Sequence, residues 1–287
     1  MTIPAAIPED LTALFESYFS AAVTPREKWR TGLECEVFAV NKHTLESVPY
    51  FGKKGTEGIF EALIAKCGWQ PLYENDKMLS LKKGFSQITL EPGAQIELSG
   101  MPQETSHQCV EEYYGFLDDL LHVCQPMDIE LMPMGYQPFG RIDHIDWLPK
   151  KRYDIMSKYF LTKGKLAHHM MKLTTSVQIN IDYSDAQDFS EKFRLSGYLN
   201  PFLQSLYANS PFIRGEYQGF VNYRGHIWLH TDNDRCGIVP GSLAKGYAYS
   251  DYVRYLVDMP IILLVRDGQS IPMHGVTPRE LIQKEPF

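Results

Sequence analysis

The chain has 287 residues, 44% of them hydrophobic and 13% aromatic, enough to bury a core in one large domain or two small ones. Its 28 basic and 35 acidic residues give a formal net charge of -7, which argues against a duplex nucleic-acid footprint while leaving room for a local basic pocket. No run approaches the roughly 18 apolar residues of a membrane span, and residues 1–10 lack both the basic and the apolar region of a secretory signal, so the default expectation is the cytoplasm.

Residues 8–22 place Leu11, Leu14, Phe15, Tyr18, Phe19 and Ala22 on one stripe, the signature of an amphipathic helix ending before Pro25. The first 30 residues carry packing and no site signal. Residues 31–40 then alternate. Leu33, Cys35, Val37 and Ala39 share one face of a strand, and Glu34 and Glu36 share the other. Two carboxylates at i and i+2 lie roughly 6.5 to 7 Å apart along such a strand. In a shared cleft they repel and raise each other's pKa, so a positive partner is expected, with magnesium the economical one. The competing reading is an exposed pair on an edge strand. The five cysteines, Cys35, Cys67, Cys109, Cys124 and Cys236, are odd in number and lack a Cys-x-x-Cys spacing; they read as small buried apolar side chains.

Residues 56–67 form a second amphipathic helix capped by Gly68, and residues 69–81 alternate loosely toward a turn at residues 82–84. From Gln87 the odd positions are Gln87, Thr89, Glu91, Gly93, Gln95, Glu97 and Ser99, and the even ones are apolar or proline, with Pro92-Gly93 interrupting as a turn or a bulge. Beyond it, Ser106 caps a helix reaching Cys124, packed through Val110, Tyr114, Leu117 and Leu121. Residues 129–134 suit a short strand. Residues 149–153 form a basic cluster in an acidic protein, either a solvated surface or a seat for phosphate or carboxylate.

Residues 174–182 alternate again, with Thr174, Ser176, Gln178, Asn180 and Asp182 opposite Thr175, Val177, Ile179 and Ile181. Residues 184–209 read as a helix in two pieces divided at Pro201, with Phe189, Phe193 and Leu195 in the core. Residues 219–230 have strand character, residues 232–237 form a loop lacking the glutamate of a calcium site, residues 247–258 are helical and residues 261–265 form a buried strand. Thr277-Pro278 opens a last helix. Three strands, each polar on one side and apolar on the other, are explained together by one antiparallel sheet with a helical core on one face and a polar cavity on the other, an α+β fold.

The stretches Gly32-Leu33-Glu34-Cys35-Glu36, Leu90-Glu91-Pro92-Gly93-Ala94-Gln95-Ile96-Glu97-Leu98-Ser99-Gly100, Arg152-Tyr153-Asp154-Ile155-Met156, Val177-Gln178-Ile179-Asn180-Ile181-Asp182, Ala208-Asn209-Ser210-Pro211-Phe212 and Tyr223-Arg224-Gly225-His226-Ile227-Trp228 occur in this order. Together they resemble the plant and proteobacterial type of glutamate–cysteine ligase. The resemblance implies a glutamine-synthetase-like architecture, a curved antiparallel sheet forming a funnel with helices on its outer face, and a single catalytic domain over residues 1–287, with an N-terminal helix in residues 1–30 and a ligase core in residues 31–287 that is incomplete at its C-terminus. It implies ATP-dependent ligation of the γ-carboxyl of glutamate to cysteine through a γ-glutamyl phosphate, the first step of glutathione synthesis. The cofactors are ATP and Mg2+, and the partners are these small molecules, without nucleic acid or membrane. On this basis Glu34, Glu36, Glu91 and Glu97 are assigned to magnesium, Arg152, Arg224 and Arg235 to catalysis, and Gln95, Gln178, Asn180 and Trp228 to substrate. The chain departs from the family at Leu173, preceded by Lys172, where an arginine is usual, and at Ala94, where the usual pair is Gly-Gly. Leu173 keeps open a related ligase with another amine acceptor, and the short chain keeps open a non-catalytic remnant that binds nucleotide or glutamate.

Overall fold

The computed structural model describes residues 11–74 and 76–284. Helix α1 (Leu11–Ser20) begins the described chain; the predicted first turn at residues 8–10 lies outside it. Strand β1 (Thr31–Asn41) is the axis of the sheet, buried on its Cys35, Val37 and Ala39 side. After α2 (Thr56–Cys67), ended by Gly68 in the left-handed region at φ 76, come β2 (Gln70–Glu74) and β3 (Lys77–Lys83). The loose alternation of residues 69–81 is thus a hairpin of two strands. Strands β4 (Ser86–Leu90) and β5 (Ile96–Ser99) form the next hairpin, and Gly84-Phe85 is the two-residue turn between β3 and β4.

Helix α3 (Ser106–Cys124) is capped one residue earlier than predicted, by Thr105, whose hydroxyl accepts from the backbone of Gln108 while the Gln108 side chain accepts from the backbone of Thr105. Strand β6 (Ile129–Met132) leads through a long connection to α4 (Lys151–Phe160) and α5 (Ala167–Leu173), then to β7 (Val177–Ile181). All pairings in the seven-stranded sheet are antiparallel, in the order β2-β3-β4-β5-β1-β6, with β7 also on β1. Strands β6 and β7 share one edge of β1 end to end, opposite residues 38–41 and 31–35 respectively. Helices α2 and α3 cover the apolar face, where Ile59, Phe60, Leu63, Leu81, Ile88, Leu98 and Leu120 are fully buried.

The predicted break at Pro201 is absent: α6 (Ala186–Leu206) runs through it, started by Asp185, whose carboxylate accepts from the Asp188 backbone. None of its residues is fully buried. Phe189 and Phe193 pack among Tyr183, Tyr247, Tyr249 and Tyr252, whereas Leu195, predicted in the core, is 56% exposed. The hairpin β8 (Phe212–Ile213) and β9 (Glu216–Tyr217) follows. Residues 219–230, read as a strand, instead form α7 (Tyr223–Leu229). The Asn222 side chain caps it by accepting from the Gly225 backbone, and Tyr223 and Ile227, four residues apart, pack against Tyr136 and Leu173. Helix α8 (Tyr249–Val257) matches expectation. Strand β10 (Leu263–Arg266) is partly exposed rather than buried and, among the described residues, is paired only with β11 (Gln269–Pro272). The last helix, α9 (Pro278–Lys284), opens with a reciprocal Thr277–Glu280 cap.

Candidate active site

The three polar strand faces come together. Across β1 and β5, Glu36 is opposite Glu97 and Glu34 opposite Ser99; across β1 and β7, Glu34 is opposite Gln178 and Gly32 opposite Asn180. Facing partners in antiparallel strands point to the same side, so Glu34, Glu36, Glu97, Gln178 and Asn180 share one surface. Glu91 joins them from the five-residue turn after β4, where its backbone N–H bonds the Gln95 carbonyl at 3.0 Å.

Each carboxylate is held by a neighbour. Ser176 donates to Oε1 of Glu36 at 2.7 Å and the Gln178 amide to the same oxygen at 3.3 Å; Asn180 donates to Oε1 of Glu34 at 2.9 Å and Thr89 to Oε2 of Glu97 at 2.5 Å. The Tyr153 hydroxyl lies 3.5 Å from Oε1 of Glu91. The second oxygens of Glu34, Glu36 and Glu97 have no partner among the described residues. Burial first, and then the charges of Glu91 and Glu97, push the Glu36 carboxyl up to about 7, against the opposing pull of Ser176 and Arg224. Glu91 is raised as well, by burial and by Glu97.

Cations flank this surface. Arg152 donates to the Tyr153 hydroxyl at 2.9 Å and stacks over that ring at 4.9 Å. Arg224, on α7, is lowered by burial and opposed by Glu36. Its Nε and the Trp228 Nε1 are both buried without a hydrogen-bond partner, and the guanidinium lies 5.5 Å from the Trp228 ring. Two orphaned donors on one short helix are costly unless a ligand acceptor meets them. Gly135 makes room for this arrangement: a Cβ there would stand 2.7 Å from Oδ1 of Asn209 and 3.2 Å from Cδ of Arg224.

A residue missed among the site candidates is Lys150. It is only 6% exposed, donates to the Leu90 carbonyl at 3.0 Å beside Glu91, and is pushed down to about 8 by burial and by Arg152. The basic cluster in the sequence was the available signal.

Two expected site residues are placed elsewhere. Gln95 is 2% exposed; its carbonyl oxygen accepts from the Gly93 backbone at 2.9 Å and its amide donates to the carbonyls of Met171 and Thr174. All of its bonds thus go to backbone, tying the β4–β5 turn to α5, and it offers no group to a substrate. Arg235 is paired with the fully buried carboxylate of Asp232, and also donates to Tyr159 and to the Pro260 carbonyl. That set of bonds is a structural ion pair beside α4 and α8, and none of it reaches the glutamates. At the departure from the family pattern, Leu173 is fully buried against Tyr136 and Ile227. Lys172 does not replace the missing cation, because its Nζ donates to the Ile142 carbonyl at 2.9 Å over the Trp147 ring.

A hard-oxygen donor set facing ammonium and guanidinium groups suits the handling of phosphate and carboxylate. Among the described residues no three His, Cys, Asp or Glu side chains are gathered as a ready metal cluster. One or two carboxylates completed by phosphate oxygens is the usual provision for magnesium, so the donors fit that ion without a closed protein cage.

The profile of glutamate-cysteine ligase family 2 matches residues 30–281. The chain belongs to the glutamate–cysteine ligase family. The match to this ligase family spans every element from β1 to most of α9. Among relatives, the chloroplastic glutamate–cysteine ligase of Brassica juncea is 37% identical over 274 residues, covering 96% of this chain and 52% of that protein. The Arabidopsis thaliana enzyme of the same name is 36% identical, with 96% and 51% covered, and glutamate–cysteine ligase A of Oryza sativa subsp. japonica 35%, with 96% and 54% covered. The chain spans about half the length of the curated relatives it matches. The expectation of a cytoplasmic protein is corrected by these relatives, which are chloroplastic. Among the described residues no helix is long and apolar enough to cross a membrane.

Proposed function

We propose that this chain carries the glutamate- and ATP-binding wall of an enzyme that joins the γ-carboxyl of glutamate to the amine of cysteine, the first step of glutathione synthesis. Residues 31–281 are read as part of one catalytic unit whose curved sheet lines a funnel, as in glutamine-synthetase-like ligases. The observation that carries this reading is the meeting of four glutamates, Arg152 and Arg224 on one sheet face beside the unpartnered donors of Arg224 and Trp228.

A γ-carboxylate oxygen of glutamate attacks the terminal phosphorus of ATP and ADP leaves. The cysteine amine then attacks the acyl carbon, phosphate departs with the bonding pair, and the nitrogen loses its proton. Such chemistry asks the protein mainly for positioning and charge neutralisation. Arg224 Nε and Trp228 Nε1, both without a partner, supply two donors for a glutamate carboxylate. Gln178 and Asn180 spend their amide N–H groups on Glu36 and Glu34, which leaves their carbonyl oxygens to accept from the glutamate ammonium. Lys150 and Arg152 bring positive charge to the migrating phosphoryl group from beside Glu91. Glu34, Glu36, Glu91 and Glu97 would hold magnesium, which when bound neutralises the phosphate charge.

Equilibrium binding of glutamate in the presence of ATP and magnesium tests the reading. Binding should weaken at least tenfold in both Arg224→Ala and Trp228→Phe. A folded chain that ignores glutamate, or whose two variants both bind it as tightly as the native chain does, would contradict it.

A further inference from the structure

A cavity apart from the glutamate face borders α7. It holds about 390 Å3, and none of the four glutamates, Arg152, Arg224 or Trp228 lines it. Its wall comes from the connection after β6, from α5 with the residue before it, and from the β8–β9 hairpin. The buried Tyr136 and the half-buried Tyr223 meet edge to face at 5.0 Å in that wall. Ile142, Leu166 and Ile213 add aliphatic surface. At Gly140 a Cβ would stand 2.8 Å from Cδ2 of Leu173, so this part of the wall stays bare backbone.

The polar groups of the cavity are left without partners in a particular way. The Tyr136 hydroxyl lies 3.1 Å from Nδ1 of His169, its one hydrogen-bond partner among the described residues, and the two rings stack. Burial first, and then the charges of Arg214, His168 and Lys172, push His169 below its usual range, so its ring is neutral near pH 7. A neutral ring that accepts the phenol proton at Nδ1 carries its own hydrogen on Nε2. Among the described residues that N–H meets no acceptor.

The hairpin supplies the charges. Arg214 and Gly215 form its two-residue turn, with φ 53 and 78, and the Gly215 N–H donates to the Pro138 carbonyl at 2.8 Å. Such a turn favours glycine, asparagine or aspartate, and arginine enters it at a cost. Arg214 makes no hydrogen bond or ion pair among the described residues, yet its charge acts on both His169 and Tyr136. Glu216, two residues on, also lines the cavity. Its Oε2 accepts from the Gln218 amide at 3.3 Å, and no cation among the described residues pairs with it.

A guanidinium, an imidazole N–H and a carboxylate, all unpaired and set around an aromatic and aliphatic wall, are the complement of a zwitterion with an apolar tail. We propose that this cavity binds a free amino acid with an aromatic or large aliphatic side chain. Arg214 and the His169 Nε2–H receive its carboxylate, Glu216 its ammonium, and Tyr136, Tyr223 and Ile213 its side chain. The site is separate from the glutamate face, and its apolar wall disfavours an acidic side chain.

Phenylalanine is the probe, titrated calorimetrically into the chain without ATP or magnesium. Saturable one-to-one binding is expected. 3-Phenylpropionate, which lacks the ammonium, and phenethylamine, which lacks the carboxylate, should each bind at least tenfold more weakly. Arg214→Gly removes the charge while easing the left-handed turn, so the variant should fold at least as well as the native chain and lose at least tenfold in affinity. Glu216→Gln, at an exposed position, should fold normally and lose as much. Glutamate in excess should leave the affinity for phenylalanine within twofold. No saturable binding to a folded chain, binding unchanged in both hairpin variants, equal binding of the three probes, or displacement by glutamate would each overturn the proposal. Because nucleotide and metal are left out, its failure would leave the ligase reading intact.

Discussion

Glu36 on β1 stands directly opposite Glu97 on β5, two like charges paired across an antiparallel ladder. Such a pair is unfavourable in a sheet without a compensating positive group. The surroundings soften it through Ser176 on Glu36 and Thr89 on Glu97, while burial, joined by the charges of Glu91 and Glu97, raises the Glu36 pKa.

The raised pKa predicts a pH dependence of stability. Glu36 titrates near 7 in the folded chain and near 4.5 in its ordinary state. Between these values the folded protein holds a proton that the unfolded chain has released. Stability therefore falls as pH rises through this window and levels off above it, by at most about 3 kcal/mol. Urea unfolding without divalent cations at pH 5 and pH 7.5 should show the fall in the native chain and a smaller one in Glu36→Gln. Equal slopes would assign the effect elsewhere.

Ala94 adopts φ 65 in the turn between β4 and β5. A Cβ in the left-handed region costs about 1 kcal/mol or more. Ala94→Gly should accordingly raise the unfolding free energy by about 1 kcal/mol, less the small loss of a buried methyl. A denaturation midpoint lower than that of the parent would show that the methyl matters more than the strain.

The two half-buried arginines Arg224 and Arg235 should separate. Arg235→Ala leaves the carboxylate of Asp232 buried and unpaired, and should cost about 3–5 kcal/mol of stability. Arg224→Ala removes a guanidinium whose Nε has no partner, so its unfolding free energy should move by less than about 1 kcal/mol, while glutamate binding is lost. Thermal unfolding and binding measured on both variants give the comparison, and an exchange of these phenotypes would contradict the site as drawn.

The strands were legible because alternation is a direct record of sheet faces. Glu34, Glu36, Glu97, Gln178 and Asn180 fall on one side as their parity requires. Parity failed at Gln95, which lies in a turn, where backbone conformation rather than position parity decides direction; its amide is drawn to the carbonyls of Met171 and Thr174. Residues 219–230 misled for another reason. Seven residues are too few to display helical periodicity, and the cap at Asn222 and the Tyr223–Ile227 contact became decisive only in three dimensions. The exposed stripes of α3 and α6 were read as core because apolar spacing reports what a helix is built to bury, whether or not its cover is present.

Calorimetric titration of ATP with magnesium into the native chain, Glu34→Ala and Glu97→Ala tests the carboxylate wall most directly. The account predicts binding that requires magnesium and weakens at least tenfold in each variant while both remain folded. Binding that persists without magnesium, or that both variants retain unchanged, would contradict it.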